Sequence, residues 1–262
     1  MSGEQTLRRT GLARALSKLG HGSRSRASAL IRAGRVRLNG VIRRDPEHPV
    51  HLEKDRIEVD GKRVAAAAKA YLLLNKPRGV VTTAADEKGR DTVYGLLHPS
   101  LPWVAPVGRL DKASEGLLLL TNDPEWAAGV SAPKTHLDKT YHVQIRSVAD
   151  AGLVESVVKG VQTQDGDFLL AKKSRILRGG ERNTWLEIVL DEGKNRHIRR
   201  MFEGLGIEVL RLVRVGIGPL TLGKLPKGCC RPLTVAEKES VDEALREHAR
   251  KQLTGPRHSA VR

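Results

Sequence analysis

Leu12, Leu16 and Leu19 recur at helical spacing near the start of the chain, and Gly20 and Gly22 interrupt them. A serine at 23 or 25 is placed to cap a second helix, whose stripe of Ala29, Leu30 and Ala33 ends at Gly34. Val36 and Leu38 then alternate with polar residues as a strand. Asn39-Gly40 predicts a tight hairpin turn, and Ile57 and Val59 predict another strand before Asp60-Gly61. Residues 64–70 follow neither period and read as a linker. Beyond them the strand pattern dominates: Tyr71 to Leu74, Val107 to Asp111, Gly116 to Leu120, Lys139 to Ile145, Phe168 to Leu177, Trp185 to Leu190, Val209 to Val215 and Leu220 to Leu222. Helical spacing returns at Ala149 to Val158, at Asn195 to Leu205 with Ile198, Phe202 and Leu205 inward, and at Val235 to Leu253. The last nine residues read as frayed. Many strands with few helices predict an α+β protein: a small N-terminal module over 8–64, a linker over 65–70, a larger domain over 71–235 with a mixed, largely antiparallel sheet flanked by helices, and a C-terminal helix and tail over 236–262.

Charge changes the picture of the first module. The whole chain of 262 residues carries a formal net charge of +16. Between positions 8 and 44 stand Arg8, Arg9, Arg14, Lys18, Arg24, Arg26, Arg32, Arg35, Arg37, Arg43 and Arg44, with no Asp or Glu among them. A solvated surface of mixed sign would not look like this; a polyanion-binding surface would. The aromatic content of 3% means that the core is built from Leu, Val, Ile and Ala. Two adjacent cysteines, Cys229 and Cys230, match no metal-binding spacing and close no ordinary disulfide loop, which suits a reducing, cytoplasmic compartment. No apolar stretch has the length of a leader or a membrane span.

The candidate chemistry starts at Gly108-Arg109-Leu110-Asp111, just before the apolar run Leu117 to Leu120. In an extended segment Arg109 and Asp111 share a face. An acid beside a cation stays ionised and can act as a nucleophile or base; it can equally be a structural ion pair closing a turn. Two further segments could converge with it: Lys139-Thr140-Tyr141, and Glu192 to Phe202 with Arg196, His197, Ile198 and Arg199.

Leu16 to Gly20, Ser23 to Ala27 and Ile31 to Gly40 resemble the alpha-L RNA-binding module of ribosomal protein S-four, and this resemblance implies RNA contacts from Lys18, Arg24, Arg26, Arg32, Arg35 and Arg37. Together with Asn75 to Gly79, Gly108 to Gly116, Lys139 to Tyr141, Glu192 to Phe202 and Arg211 to Leu220, the chain resembles the bacterial ribosomal RNA pseudouridine synthases that carry such a module. What the resemblance implies is isomerisation of uridine to pseudouridine by base flipping, cleavage of the glycosidic bond and re-attachment through carbon, by a monomer with no metal, cofactor or membrane partner. Asp111 would be the nucleophile, attacking either sugar or base. Tyr141 would stack on the base, Arg199 would keep Asp111 charged, and Ile198 would pack beside the base. Arg109 and Arg196 would hold the nucleotide, and His197 would be a hydrogen-bonding wall residue. Lys76 to Gly79 and Asp86 to Arg90 look more like the large-subunit enzymes than the small-subunit ones. The alternative is an inactive ribosomal-RNA-binding assembly factor on the same fold.

Overall fold

The computed structural model describes residues 9–84, 86, 88–132, 135 and 137–254. Arg8, Glu87 and the tail from 255 onward lie outside the described residues. The chain forms two compact units. One holds the described residues up to Tyr71 together with His98–Ala105 and Leu120–Pro124, and the other holds Leu72–Leu97, Pro106–Leu119 and the chain from Glu125 onward.

In the first unit, α1 (Leu12–Lys18) and α2 (Arg24–Arg32) pack on a small antiparallel sheet of β1 (Val36–Leu38), β2 (Val41–Arg43), β3 (Ile57–Val59) and β4 (Lys62–Arg63). Ser23, not Ser25, caps α2: its hydroxyl accepts from the Arg26 amide at 3.1 Å. Asn39 and Gly40 both have positive φ, 52° and 81°, as a two-residue hairpin requires; Asp60 and Gly61, at 51° and 75°, repeat the device between β3 and β4. Leu12, Leu16, Ala27, Ile31, Val36, Leu38, Ile57 and Val59 are all buried in one cluster. Each large apolar side chain there contributes about 1.5–3 kcal/mol, so the module has a core of its own beneath its arginines. Residues 64–70 form no helix or strand. Ala67 N–H donates to Leu19 O at 3.1 Å, and the Asn122 side chain bridges Ala68 O and Ala70 N–H.

The second unit carries a nine-stranded mixed sheet, to whose strands Tyr71, Ala105, Leu120 and Thr121 also belong. Its main path runs β9 (Lys173–Gly179), β10 (Thr184–Leu190), β8 (Lys139–Ile145), β11 (Val209–Ile217), β7 (Glu115–Thr121), β5 (Tyr71–Lys76) and β13 (Cys230–Pro232). β6 (Ala105–Val107) pairs β7, and β12 (Leu220–Thr221) pairs β11. β8 pairs both β10 and β11 antiparallel, while β11 meets β7 in parallel. Val143, Ile145, Leu186, Ile188, Leu190 and Leu212 face α5 (His197–Gly204), which buries Ile198, Met201 and Phe202 against them. α3 (Pro124–Ser131), α4 (Ala151–Lys159, capped by Asp150) and α6 (Val235–Thr254) complete the unit.

Four of the boundary shifts bear on the site or the sheet that carries it. The strand expected over Val107 to Asp111 stops at Val107, because Gly108 turns the chain with φ of 71°. Tyr71 to Leu74 runs on through Asn75 and Lys76, both buried. Phe168 to Leu177 is two strands, since Phe168–Leu169 pairs Val161–Gln162 and the chain then crosses to pair β10. The helix expected from Asn195 begins at His197, after Arg196 in a left-handed conformation.

Gly116 marks where β7 and β11 come together. Its φ is 102°, and a Cβ there would stand 2.2 Å from the Arg214 carbonyl oxygen. Backbone cannot yield as a side-chain tip does. Gly116→Ala is therefore expected to destabilise the protein by at least about 3 kcal/mol, read as a lowered urea midpoint; an unchanged midpoint would show that the two strands separate freely.

Candidate active site

A cleft of about 470 Å³ opens in the second unit, large enough for one small group. Arg109, Asp111, Tyr141, Arg196, His197 and Ile198 all line it. Three segments of the expected site thus meet in one place. Arg199 stands behind the wall and not in it.

Asp111 sits on a loop whose backbone is tied at five consecutive carbonyls. Leu110 O accepts from Thr82 Oγ1 at 2.8 Å. Asp111 O and Ser114 O accept from Lys76 Nζ at 3.1 and 2.9 Å. Lys112 O accepts from Gly79 N–H at 2.8 Å, and Ala113 O from Arg199 Nη2 at 3.2 Å. Leu110 is buried between the exposed Arg109 and Asp111, so both side chains are presented to the cleft. Among the described residues the Asp111 carboxylate forms no ion pair within 4 Å, with Arg109 or any other cation. The backbone is fixed and the carboxylate is left unengaged, an arrangement that suits a reacting group more than a structural pair.

Lys76 holds two of these five carbonyls. Its side chain is fully buried at the end of β5, and its ammonium is wrapped by the carbonyls of Pro77, Asp111 and Ser114. Burial pushes its pKa down to about 8, against the attraction of Asp111 and Glu115. Glu115, equally buried, follows the loop on β7 and accepts from Arg211 and Lys227. Burial alone would raise its pKa; the hydrogen bonds from Lys227 and Arg211 outweigh this and hold it below the ordinary range. The sequence signal for both was a charge adjoining an apolar strand.

Tyr141 is half-buried on β8, packed against the core cluster with one side toward the cleft. Directly across the strand pair lies Arg214 on β11. Ile198 is buried on α5. Arg199 donates to Val209 O as well as Ala113 O, pinning α5 to β11 and to the Asp111 loop. Burial and Arg196 pull its pKa below the usual guanidinium range, and the Asp111 carboxylate pushes it back up. His197 is buried, its Nε2 donating to Leu170 O at 3.1 Å, and burial holds its pKa below the ordinary histidine range. Burial favours the uncharged ring and outweighs the contact to Leu170 O, which favours the charged one. Arg109 and Arg196 are exposed at the rim.

On the first unit Arg24, Arg26, Arg32 and Arg37 are exposed and make no ion pair among the described residues. Arg35 is exposed but engaged, forked onto Asp60 at 2.8 and 2.5 Å, and Lys18 is half-buried. No cluster of three or more His, Cys, Asp or Glu able to hold a metal occurs among the described residues, and none of their helices is long and apolar enough to cross a membrane.

A basic alpha-L-type module, followed in the chain by a mixed-sheet domain with a tethered acidic loop, is the combination expected of an RNA-modifying enzyme. Comparison with known proteins places it more closely. Residues 70–204 match the model of the RNA pseudouridylate synthase family, and residues 10–57 match the S4 domain. Ribosomal large subunit pseudouridine synthase B of Bacillus subtilis is 35% identical over 91% of this chain and 98% of its own length. The protein of the same name from Escherichia coli O157:H7 is 35% identical over 89% and 83%. A crystal structure of a pseudouridylate synthase, 28% identical, covers 88% of this chain and 99% of its own with a TM-score of 0.62. The chain belongs to the RNA pseudouridylate synthase family. It is an isomerase that binds RNA through an N-terminal S4 domain.

Proposed function

We propose that this enzyme converts one or a few uridines of large-subunit ribosomal RNA to pseudouridine, with Asp111 as the nucleophile. The observation that carries this reading is the Asp111 loop: five tethered carbonyls beneath a carboxylate left open to a cleft. The named relatives support the choice of RNA. Residues 8–64 grip the RNA, residues 71–235 carry the chemistry, and 65–70 connect them. A stacked base must leave its helix before it can be detached, at a cost of a few kcal/mol. Tyr141 offsets about 1–3 kcal/mol of that by stacking on the extruded uracil, with Ile198 beside it. Arg109 and Arg196 hold the flanking phosphates. Arg199 keeps a positive charge behind Asp111 and fixes the Ala113 carbonyl. The reaction then breaks the N1–C1′ bond, turns the ring, joins C5 to C1′ and moves the C5 proton to solvent while N1 gains one, a net isomerisation.

The test is chemical mapping of pseudouridine in large-subunit ribosomal RNA transcripts incubated with the pure enzyme. New signal at a discrete uridine is expected. RNA bound without any new pseudouridine would leave only the assembly-factor reading. The RNA grip is tested separately. Arg24→Ala combined with Arg26→Ala removes two phosphate contacts, so the slope of log affinity against log salt should become shallower by about 1.4–1.8. An unchanged slope would remove this surface from the RNA interface.

A further inference from the structure

Arg214 is a charge in an unexpected place. It lies inside β11, is only 6% exposed, and lines the cleft. Its Nε donates to Leu117 O at 2.8 Å, while Nη2 is buried with no partner. A guanidinium has five N–H donors, and an unmade bond to a buried charged group is costly. Among the described arginines with a buried unpartnered nitrogen, Arg214 is the one that lines the cleft, where a ligand can reach it. The other cations that line the cleft are placed differently. Lys139 donates to Asp191 O, and Arg109, Lys194 and Arg196 are exposed. Arg199, behind the wall, also has a buried Nε without a partner, but its two Nη atoms donate to carbonyls and it does not line the cleft. Arg214 is the deep one, across the strand pair from Tyr141.

We propose that Arg214 contacts the flipped uracil, donating from its guanidinium to an exocyclic carbonyl oxygen, O2 or O4, and holding the negative charge that the ring acquires during the reaction. The inference deepens the proposed function and rests on it. Its chemistry does not depend on which atom Asp111 attacks. Attack at C1′ expels uracil with the electron pair of the N1–C1′ bond, and that charge spreads onto O2 and O4. Attack at ring carbon C6 pushes the C5–C6 pair onto O4. Either way an exocyclic oxygen becomes anionic in a site shielded from water, where a fixed cation acts most strongly. The same contact would keep the detached ring in the pocket while it turns. Gly116 contributes by letting β7 approach the Arg214 backbone closely, and Leu117 O, next along β7, fixes the Nε end of the fork.

The experiment uses the full-length enzyme and a short RNA hairpin carrying the mapped uridine as uridine, 2-thiouridine or 4-thiouridine. Sulfur is a poor acceptor, so one thio substitution should slow the wild-type single-turnover rate about ten- to a hundredfold while hairpin affinity stays the same. Arg214→Met should slow the oxo hairpin by a similar factor and be indifferent to that thio substitution, because the contact is already gone. Arg214→Lys should recover part of the rate. A wild-type enzyme equally fast on all three hairpins overturns the inference, and it does so even if Arg214→Met fails to fold. An Arg214→Met enzyme that still suffers the full thio penalty overturns it as well. Absence of pseudouridine in every RNA would instead overturn the proposed function, and the inference would fall with it.

Discussion

Asp111→Asn is expected to lower pseudouridine formation by at least about a thousandfold while leaving RNA affinity and stability nearly unchanged. The amide has the size and shape of the carboxylate but neither its charge nor its nucleophilic oxygen. The loop would not notice the change, because it is held by its backbone carbonyls and by the buried Leu110, not by the Asp111 side chain. That side chain is exposed and unpaired among the described residues, so its replacement falls among surface substitutions worth about half a kcal/mol or less. In the proposed function RNA affinity is carried elsewhere, by the basic face of the S4 domain and the rim arginines. The measurement is single-turnover conversion of a ribosomal RNA transcript, with hairpin binding and thermal unfolding as controls. Conversion at the wild-type rate would end the nucleophile assignment. A variant that lost conversion only because it lost the fold would show itself in the melting curve.

The parts of this arrangement that were legible in the sequence are the local ones. Asn39-Gly40 announces its hairpin because both positions need positive φ, and the charge of residues 8–44 announces a polyanion because no acid dilutes it. The meeting of Asp111, Tyr141 and the 196–198 segment in one cleft was readable only through the family resemblance, since nothing in the spacing of these segments says that β8, β11 and β7 are neighbours. What stayed hidden was long-range. The donors that hold the Asp111 loop come from positions 76, 79, 82 and 199, and each looked locally like a strand end, a turn residue or a helix surface. Arg199, expected to keep Asp111 charged, reaches the backbone of the loop: its guanidinium donates to the Ala113 carbonyl two residues on, with Asp111 near enough to influence its charge. Arg214 is hidden for the same reason: an arginine between Val213 and Val215 reads as one more alternating strand position until its burial is known.

Lys76→Met is the second large effect. Methionine fills much of the volume but removes the donor shared by Pro77 O, Asp111 O and Ser114 O, of which Asp111 O keeps the Ser114 amide. At about 1–3 kcal/mol for each of the other two acceptors, less what is regained by no longer burying a charge, a net loss of about 2 kcal/mol is expected. Turnover should fall by at least about a hundredfold, because a nucleophile displaced by an ångström loses that much, whereas KM for RNA should hold. The pH dependence gives an independent check with two opposite signs. The folded pKa of Lys76 is about 8 and its ordinary value is 10.5. Between these values the unfolded chain binds more protons than the folded one, so the contribution of Lys76 to stability rises with pH across that window. Turnover moves the other way. The neutral amine has two N–H donors for three carbonyls, so the tether on the Asp111 loop slackens as the proton leaves. Wild-type turnover should therefore decline from pH 8 upward while the melting temperature gains relative to Lys76→Met, and the variant should show neither trend. Turnover that climbs steadily through this range in the wild type would mean that the ammonium does not hold the loop, and the five-carbonyl tether would lose its central member.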